Sequence, residues 1–416
     1  MFKWSAVTDR WYKEAAKAEE GVQDFTAGNA SAMLAPAEVT ESGSTYKVPY
    51  TTIVSIEPHS NAERLELAFV YGFQVVVRKD QYKVGDPIIY IPIDSLLPQW
   101  LEDKLFPEGS KVKLHHHRVR QIKLRGLASQ GMIIDPADVA EKVNPAYIQA
   151  EQNLAAVLGV TKYEPPQAGF AQVQGKPRNR NKKHEHPLFH KYNGVDNIKW
   201  FPTLFKETEE VLVECKLHGT NARASKLPFI ANTWKKKLKK FFRLAPKVEK
   251  CYGSNNVDIS AATDYKGYYG EDVYGQCFEA LDVFNKLQLG EIVYGEIIGP
   301  KIQANYDYGL KEHHFVVFDV KVLQPDGKFR WMNPEEVEAF CQQRGFEFVP
   351  VLYRGPFNKD FIYTLTKGPS VYCPSQKVRE GVVVKSRFNY DTDGNKKALK
   401  WINEDYLADK NNTDNH

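Results

Sequence analysis

Two scarcities narrow the field first. Only five cysteines occur in 416 residues, at 215, 251, 277, 341 and 373. Their number is odd and no Cys-x-x-Cys pair exists, which argues against a disulfide framework or a thiolate zinc site and for a reducing compartment. Long apolar runs are also missing: none approaches the roughly 18 residues that a membrane span needs. The opening MFKWSAVTDRWYKEAAKAEE lacks the charged and apolar regions of a secretory signal. The expected setting is the cytoplasm or another reducing intracellular compartment, not the secretory route, with no membrane partner. Charge of one sign is not in large excess either. Lys and Arg number 56 against 52 Asp and Glu, a net charge of +4. Bulk charge therefore decides little, and its distribution says more. Basic runs stand at 176–183 (KPRNRNKK) and 235–243 (KKKLKKFFR), each suited to a polyanion or to a solvated face.

What is present is ordinary globular material, 42% hydrophobic and 26% charged, in a chain long enough for two domains. Residues 1–45 read as an N-terminal arm with a short helix over 10–20 and a small-residue stretch after it. From 46 to 138 the texture turns to short β-rich runs: VPYTTIVSIEPH, FVYGFQVVVRKD, DPIIYIPID and RQIKLRGLASQGMIID. Many short strands with turn signals between them predict a small OB-like barrel, a fold that often contacts nucleic acid. Residues 139–187 are polar, contain Pro165-Pro166 and read as a linker. Strand-like runs resume over 188–408: EEVLVECKL, GQCFEALDVF, EIVYGEII, HHFVVFDVKV, EGVVVKS and KALKWI, with a helix predicted over 334–344. Strands and helices do not alternate regularly, so the class is α+β rather than doubly wound. Residues 409–416 form a polar tail.

Lys216 is the residue with most chemical promise. It ends the apolar run VLVEC and precedes His218, Gly219, Thr220 and Asn221. A lysine at a strand end before a glycine turn projects into a cleft, and a desolvated lysine gives up its proton to become a nucleophile. The glycine permits close backbone approach to a ligand. Glu214, two residues earlier, shares the strand face of Lys216, while Cys215 points the other way. Further along come Glu296 in VYGEIIGPKIQ, Phe318 in HHFVVFDVKV, Glu380 and Lys385 in REGVVVKS, and Lys397 and Lys400 in KKALKWI.

This ordered series resembles the covalent nucleotidyltransferase superfamily of polynucleotide ligases and RNA capping enzymes. Lys216-Leu217-His218-Gly219 matches its first motif, and the histidine followed by Thr-Asn resembles the RNA ligase branch. Tyr294-Gly295-Glu296, Val317-Phe318-Asp319, Glu380 to Lys385 and Leu399-Lys400-Trp401 match the motifs that follow. DNA ligases and capping enzymes carry an OB domain after the catalytic one; here the barrel comes first. The stretches VSIEPHSNAERLELAFVYGFQVVVRKDQYKVGD, RQIKLRGLASQG and LGVTKYEPP resemble the RNA ligase 5 family. The resemblance implies an adenylyltransferase domain over 188–408, ATP-grasp-like and built on antiparallel sheets.

Function and site residues follow from the resemblance. It implies an ATP-dependent RNA ligase that joins RNA 3′-hydroxyl and 5′-phosphate ends, at nicks, through a Lys216–AMP adduct. The alternatives are a GTP-dependent capping guanylyltransferase or a non-catalytic nucleic-acid-binding homologue. Lys216, Glu296, Glu380 and Lys400 are the implied catalytic residues. Glu214, Gly219, Asn221, Arg223, Phe318 and Lys385 join them around ATP, with Phe318 stacked on adenine and Lys385 and Lys400 on phosphate oxygens. Glu296 and Glu380 would hold Mg2+ or Mn2+. His218 serves either a later step or the packing of its own turn, and Lys397 is a second candidate lysine in the last motif. Lys235, Lys236, Lys237, Lys239 and Lys240 lie on a predicted basic amphipathic helix suited to an RNA backbone. The partner is RNA, as a nicked duplex or free ends on a DNA or RNA template, and the protein a monomer. With barrel and nucleotide pocket separable, deleting residues 1–135 is expected to spare self-adenylylation.

Overall fold

The computed structural model describes residues 46–110, 113–163, 185–192, 194–242, 244, 246–261, 269–303, 306, 308–373, 376–390 and 396–408. The expected arm over 1–45, its helix, the basic run 176–183 and the tail over 409–416 lie outside the described residues.

The N-terminal unit is built from short antiparallel strands whose alternating side chains meet in the middle. They are β1 (Tyr50–Thr52), β2 (Ser55–Pro58), β3 (Leu65–Val70), β4 (Phe73–Arg78), β5 (Pro87–Ile91), β6 (Ser95–Leu96), β7 (Ile122–Leu124), β8 (Leu127–Ser129) and β9 (Met132–Ile134). Their main pairings are β1-β5-β9 and β2-β3-β4. In β4 every second residue is buried, and Phe73, Val75 and Val77 pack with Val70, Ile88 and Tyr90. The β3–β4 hairpin turns at Tyr71, in the left-handed region at φ 52°, and Gly72. A side chain at Gly72 would meet the Lys199 backbone at 3.0 Å, so glycine here serves a close approach from the second domain.

The expected linker is packed over its described first half. Val48 N donates to Asn153 Oδ1 at 2.8 Å, and Thr51 and Tyr71 hydroxyls both donate to the Glu151 carboxylate. Leu154, Leu158 and Val160 are buried with Ile89, Leu101 and Ile134, and β10 (Thr161–Lys162) pairs with β6. Polar composition suggested a tether, but those polar side chains are spent on the first strand and the apolar residues between them close the core. The N-terminal unit therefore extends to 163.

The second unit contains two facing sheets. One runs β11 (Asp196–Asn197), β21 (Lys396–Ile402), β20 (Gly381–Tyr390), β12 (Glu210–Lys216), β19 (Val351–Pro356). The other runs β14 (Val248–Ser254), β13 (Thr220–Pro228), β15 (Glu291–Ile298), β16 (His314–Leu323), β17 (Phe329–Trp331), with β18 (Glu347–Phe348) on β16. Pairing is antiparallel except for β11 on β21 and β18 on β16. Val211, Val213, Val382, Val384, Leu399 and Trp401 cover the outer face of the first sheet. Ala222, Val293, Val317 and Val320 cover the outer face of the second and pack against helices Val273–Ala280 and Pro334–Arg344. The inner faces are left for polar side chains.

One expected strand is a helix. GQCFEALDVF falls in helices Val273–Ala280 and Val283–Lys286. Asp272 caps the first by accepting from Gly275 N, and Val273, Tyr274, Cys277 and Phe278 recur at helical spacing on its buried side. The helix predicted over 334–344 is present, with a capping box between Asn333 and Glu336.

Candidate nucleotidyl-transfer site

Strand alternation decides what faces the cleft. β12 and β20 are in register, with Glu214 opposite Val383 and Lys216 opposite Gly381, and β21 places Lys400 opposite Val383. Glu214, Lys216, Lys385 and Lys400 therefore share the inner face of the first sheet. On the facing sheet Asn221 pairs with Glu296, and Arg223 with Tyr294. Gly219 makes this meeting possible: a Cβ there would stand 2.3 Å from Ile297 O and 2.8 Å from Glu296 Cγ. The glycine expected to admit a ligand instead admits β15 against the turn.

Lys216 Nζ donates to Glu380 Oε1 at 2.6 Å. The other Glu380 oxygen and Asn221 Oδ1 are buried with no hydrogen-bond partner among the described residues. Burial raises Glu296 to about 8; Glu380 adds to the rise, while Lys216 and the Gly219 backbone oppose it. Burial also lowers Lys400 to about 8, helped by the positive charges of Lys216 and Lys162. Glu296, Glu380 and Lys400 thus stand around the amine of Lys216.

A divalent cation fits this donor set. Two carboxylates and an amide oxygen are hard ligands, and two of their oxygens are buried without partners. Among the described residues no group of three or more His, Cys, Asp and Glu side chains forms a complete cage.

Several expected contacts fall elsewhere. All three donors of the Lys385 ammonium are used within the protein, on Glu214 Oε2 at 2.7 Å, Asp319 Oδ1 at 3.2 Å and Phe318 O at 2.7 Å. Lys385 is 1% exposed and is a strut between sheets rather than a phosphate ligand. Burial alone would raise Asp319, but Lys385 and Lys396 outweigh it and hold the carboxyl below its usual range. Arg223 donates to the carbonyls of Ser254 at 2.9 Å and Phe189 at 2.5 Å, and so pins the 186–192 segment instead of reaching into the cleft. Lys397 lies on the outer face of β21, where it pairs with Glu209 at 2.6 Å over the Phe205 ring. Lys396, one residue earlier, is the lysine that reaches the interior, bonded to Asp319. Its signal was spacing: Lys396 and Lys400 are four apart on one strand, hence on one face.

His218 is buried, with Nδ1 hydrogen-bonded to the Tyr406 hydroxyl at 2.9 Å and its backbone N donating to Tyr308 Oη at 2.6 Å. Of its two expected roles, this geometry is that of an anchor for the turn. Phe318 lines the cleft, its ring edge-on to Tyr192 at 5.0 Å. Tyr192, which sequence reasoning missed, also donates to Asp319 Oδ2 at 2.6 Å.

The predicted basic helix forms as Trp234–Phe241, capped by Thr233. Lys236 pairs with Glu249 at 2.6 Å, while Lys237, Lys239 and Lys240 are exposed; the Lys235 side chain lies outside the described residues. The helix follows the far end of β13, roughly 25 Å from the Lys216 turn at ~3.3 Å per strand residue.

Residues 209–402 match the RNA ligase family, and residues 48–136 match an OB-fold domain family. Among solved structures, an RNA ligase of Naegleria gruberi with pyrophosphate has a TM-score of 0.64 at 22% identity, over 86% of this chain and 97% of that one. A mutant of the same ligase with ATP and Mn gives 0.64 at 20% identity, over 87% and 98%. Likeness at this identity establishes the fold. The protein thus carries an OB-fold domain followed by an RNA ligase domain.

Proposed function

We propose that this protein is an ATP-dependent RNA ligase whose adenylate is carried on Lys216. The observation that carries the reading is the Lys216 amine set between two sheets, 2.6 Å from Glu380 and flanked by Glu296 and Lys400. The neutral amine attacks the α-phosphorus of ATP. A P–N bond forms, the P–O bond to pyrophosphate breaks, and the amine loses its remaining extra proton to solvent or base. The adenylate then passes to the 5′-phosphate of an RNA end, and the 3′-hydroxyl of the second end displaces AMP as the phosphodiester forms.

Each residue has a stated part. Lys400, charged below about pH 8, attracts phosphate oxygens. Glu296 and Glu380 are the groups that would hold Mg2+ or Mn2+, which supplies positive charge against the transferring phosphoryl group. Phe318 offers its ring to the base. Glu214 Oε1, buried and without a partner among the described residues, offers an acceptor. Adenine presents an amino donor at its six-position and guanine a carbonyl acceptor, so Glu214 favours ATP over GTP.

The barrel ahead of the ligase domain supports membership of the RNA ligase 5 family. The exposed lysines of helix Trp234–Phe241 support contact with an RNA backbone beyond the joint. Incubation with α-labelled ATP or GTP and a divalent ion, followed by a denaturing gel, tests the first step. Labelling by ATP alone, lost in Lys216→Ala, is the expected result. Labelling by GTP, or persistence in Lys216→Ala, overturns the reading. Nicked duplexes with ribo or deoxyribo ends on each side then define the joint.

A further inference from the structure

The C-terminal helix Glu404–Ala408 touches three separate parts of the machine within four residues. Its preceding residue, Asn403, donates from its backbone to Glu380 O at 2.8 Å and from its side chain to Arg379 O at 3.1 Å. This fixes the backbone of the carboxylate that pairs with the nucleophile. Tyr406, 3% exposed, bonds His218 two residues past Lys216. Between them, Glu404 Oε1 accepts from Lys199 Nζ at 2.8 Å and Glu404 O accepts from Gln121 of the barrel at 2.8 Å. Lys199 in turn donates to Gln130 of the barrel at 2.6 Å.

We propose that this helix makes barrel seating a condition of adenylylation, with Tyr406 as a positioning residue for the Lys216 turn and Glu404 as its latch to the barrel. The proposal rests on the ligase reading above. Its physical content is that one short rigid element is bonded to both sides of the Lys216–Glu380 pair and to the domain that precedes it. A barrel displaced from Glu404 releases the helix, and the helix then ceases to hold His218 and Glu380 in register. The buried contacts carry the coupling: Lys199 has only 10% of its side chain exposed. The Lys123–Asp405 pair, about half exposed on both sides, adds little.

A double-mutant cycle on the full chain tests this. Single-turnover formation of Lys216–AMP is measured over a series of ATP concentrations for the wild type, Tyr406→Phe, Lys199→Met and the double variant, with thermal melting as the folding check. Tyr406→Phe keeps the ring and deletes one hydroxyl, so the helix has its packing. Each single change is expected to slow the rate constant about tenfold, the scale of one lost buried hydrogen bond. The KM for ATP should stay within about twofold, and the double variant should be no slower than its slower parent, since both act through one helix. Wild-type rates in both single variants, or losses that multiply in the double, overturn the coupling. A wild type that never takes up label overturns the ligase reading itself, which separates the two failures.

Discussion

Glu380 holds Lys216 with one carboxylate oxygen at 2.6 Å and keeps the other buried without a partner among the described residues. The pair is therefore half of an arrangement: one oxygen orients the amine and the second is available to a cation. Glu380→Gln keeps shape and removes charge. Loss of one preorganised electrostatic group costs roughly 10²–10³ in rate, so Lys216–AMP formation should fall by about that factor while the fold persists. Quench-flow labelling reads the effect. A loss below about threefold would place Glu380 outside the reaction.

The pH profile follows from two opposed shifts. Burial raises Glu296 from 4.5 to about 8, so its contribution to stability is full below about 4.5 and is lost as pH rises through about 8. Lys400 is lowered from 10.5 to about 8, so its contribution is present above about 10.5 and lost as pH falls through about 8. Chemistry needs the opposite protonation of each, an ionised carboxylate and a charged lysine. Adenylylation is expected to be bell-shaped and narrow, peaking near pH 8. More divalent ion should move the rising limb to lower pH, because the cation favours ionised Glu296. A flat profile from about pH 6.5 to about 9.5 would contradict both assignments.

The sequence made the motif order and the strand-end lysine legible because these are local: an apolar run, a lysine, a glycine turn. The α+β class and the early barrel were legible through strand texture for the same reason. What it hid depends on the second sheet. Lys385 reads as a lysine alternating out of a strand, and only the crossing of β16 shows its three donors consumed by Glu214, Asp319 and Phe318. Arg223 and Gly219 were misread likewise, since their partners lie 31 and 78 residues downstream, at Ser254 and Ile297. GQCFEALDVF failed for a different reason. Its short apolar run fits either period, and the cap at Asp272 was the deciding signal.

Lys396 and Lys397 provide a contrast within one strand. Lys397→Ala removes a largely buried pair with Glu209 on the outer face and should leave adenylylation within about twofold of wild type, since neither partner faces the cleft. Lys396→Met leaves Asp319, fully buried, with one cation fewer. Breaking a buried pair by removing one partner costs about 3–5 kcal/mol. Urea unfolding of Lys396→Met against wild type reads this cost, and wild-type stability would show that Lys385 alone suffices for Asp319.

Trp200 decides whether the domains can be taken apart. Its ring stands 4.9 Å from Tyr71, 4.9 Å from Phe73 and 5.6 Å from Tyr90, all in the barrel, while the strand before it, β11, pairs with β21 beside Lys400. Gly72 N donates to Lys199 O at 2.9 Å, which closes the same joint. Removing residues 1–135 would therefore uncover Trp200 and strip Leu154, Leu158 and Val160 of their core. The expectation of an intact, self-adenylylating remainder needs a gentler test. Trp200→Ala leaves both cores in place and deletes the half-buried ring between them, at less than the about 3–5 kcal/mol of a fully buried aromatic. The barrel should then melt separately from the ligase domain in calorimetry, and small-angle scattering should show a larger radius. A single transition with unchanged radius would mean that Lys199, Gln121 and Glu404 hold the domains together without the ring.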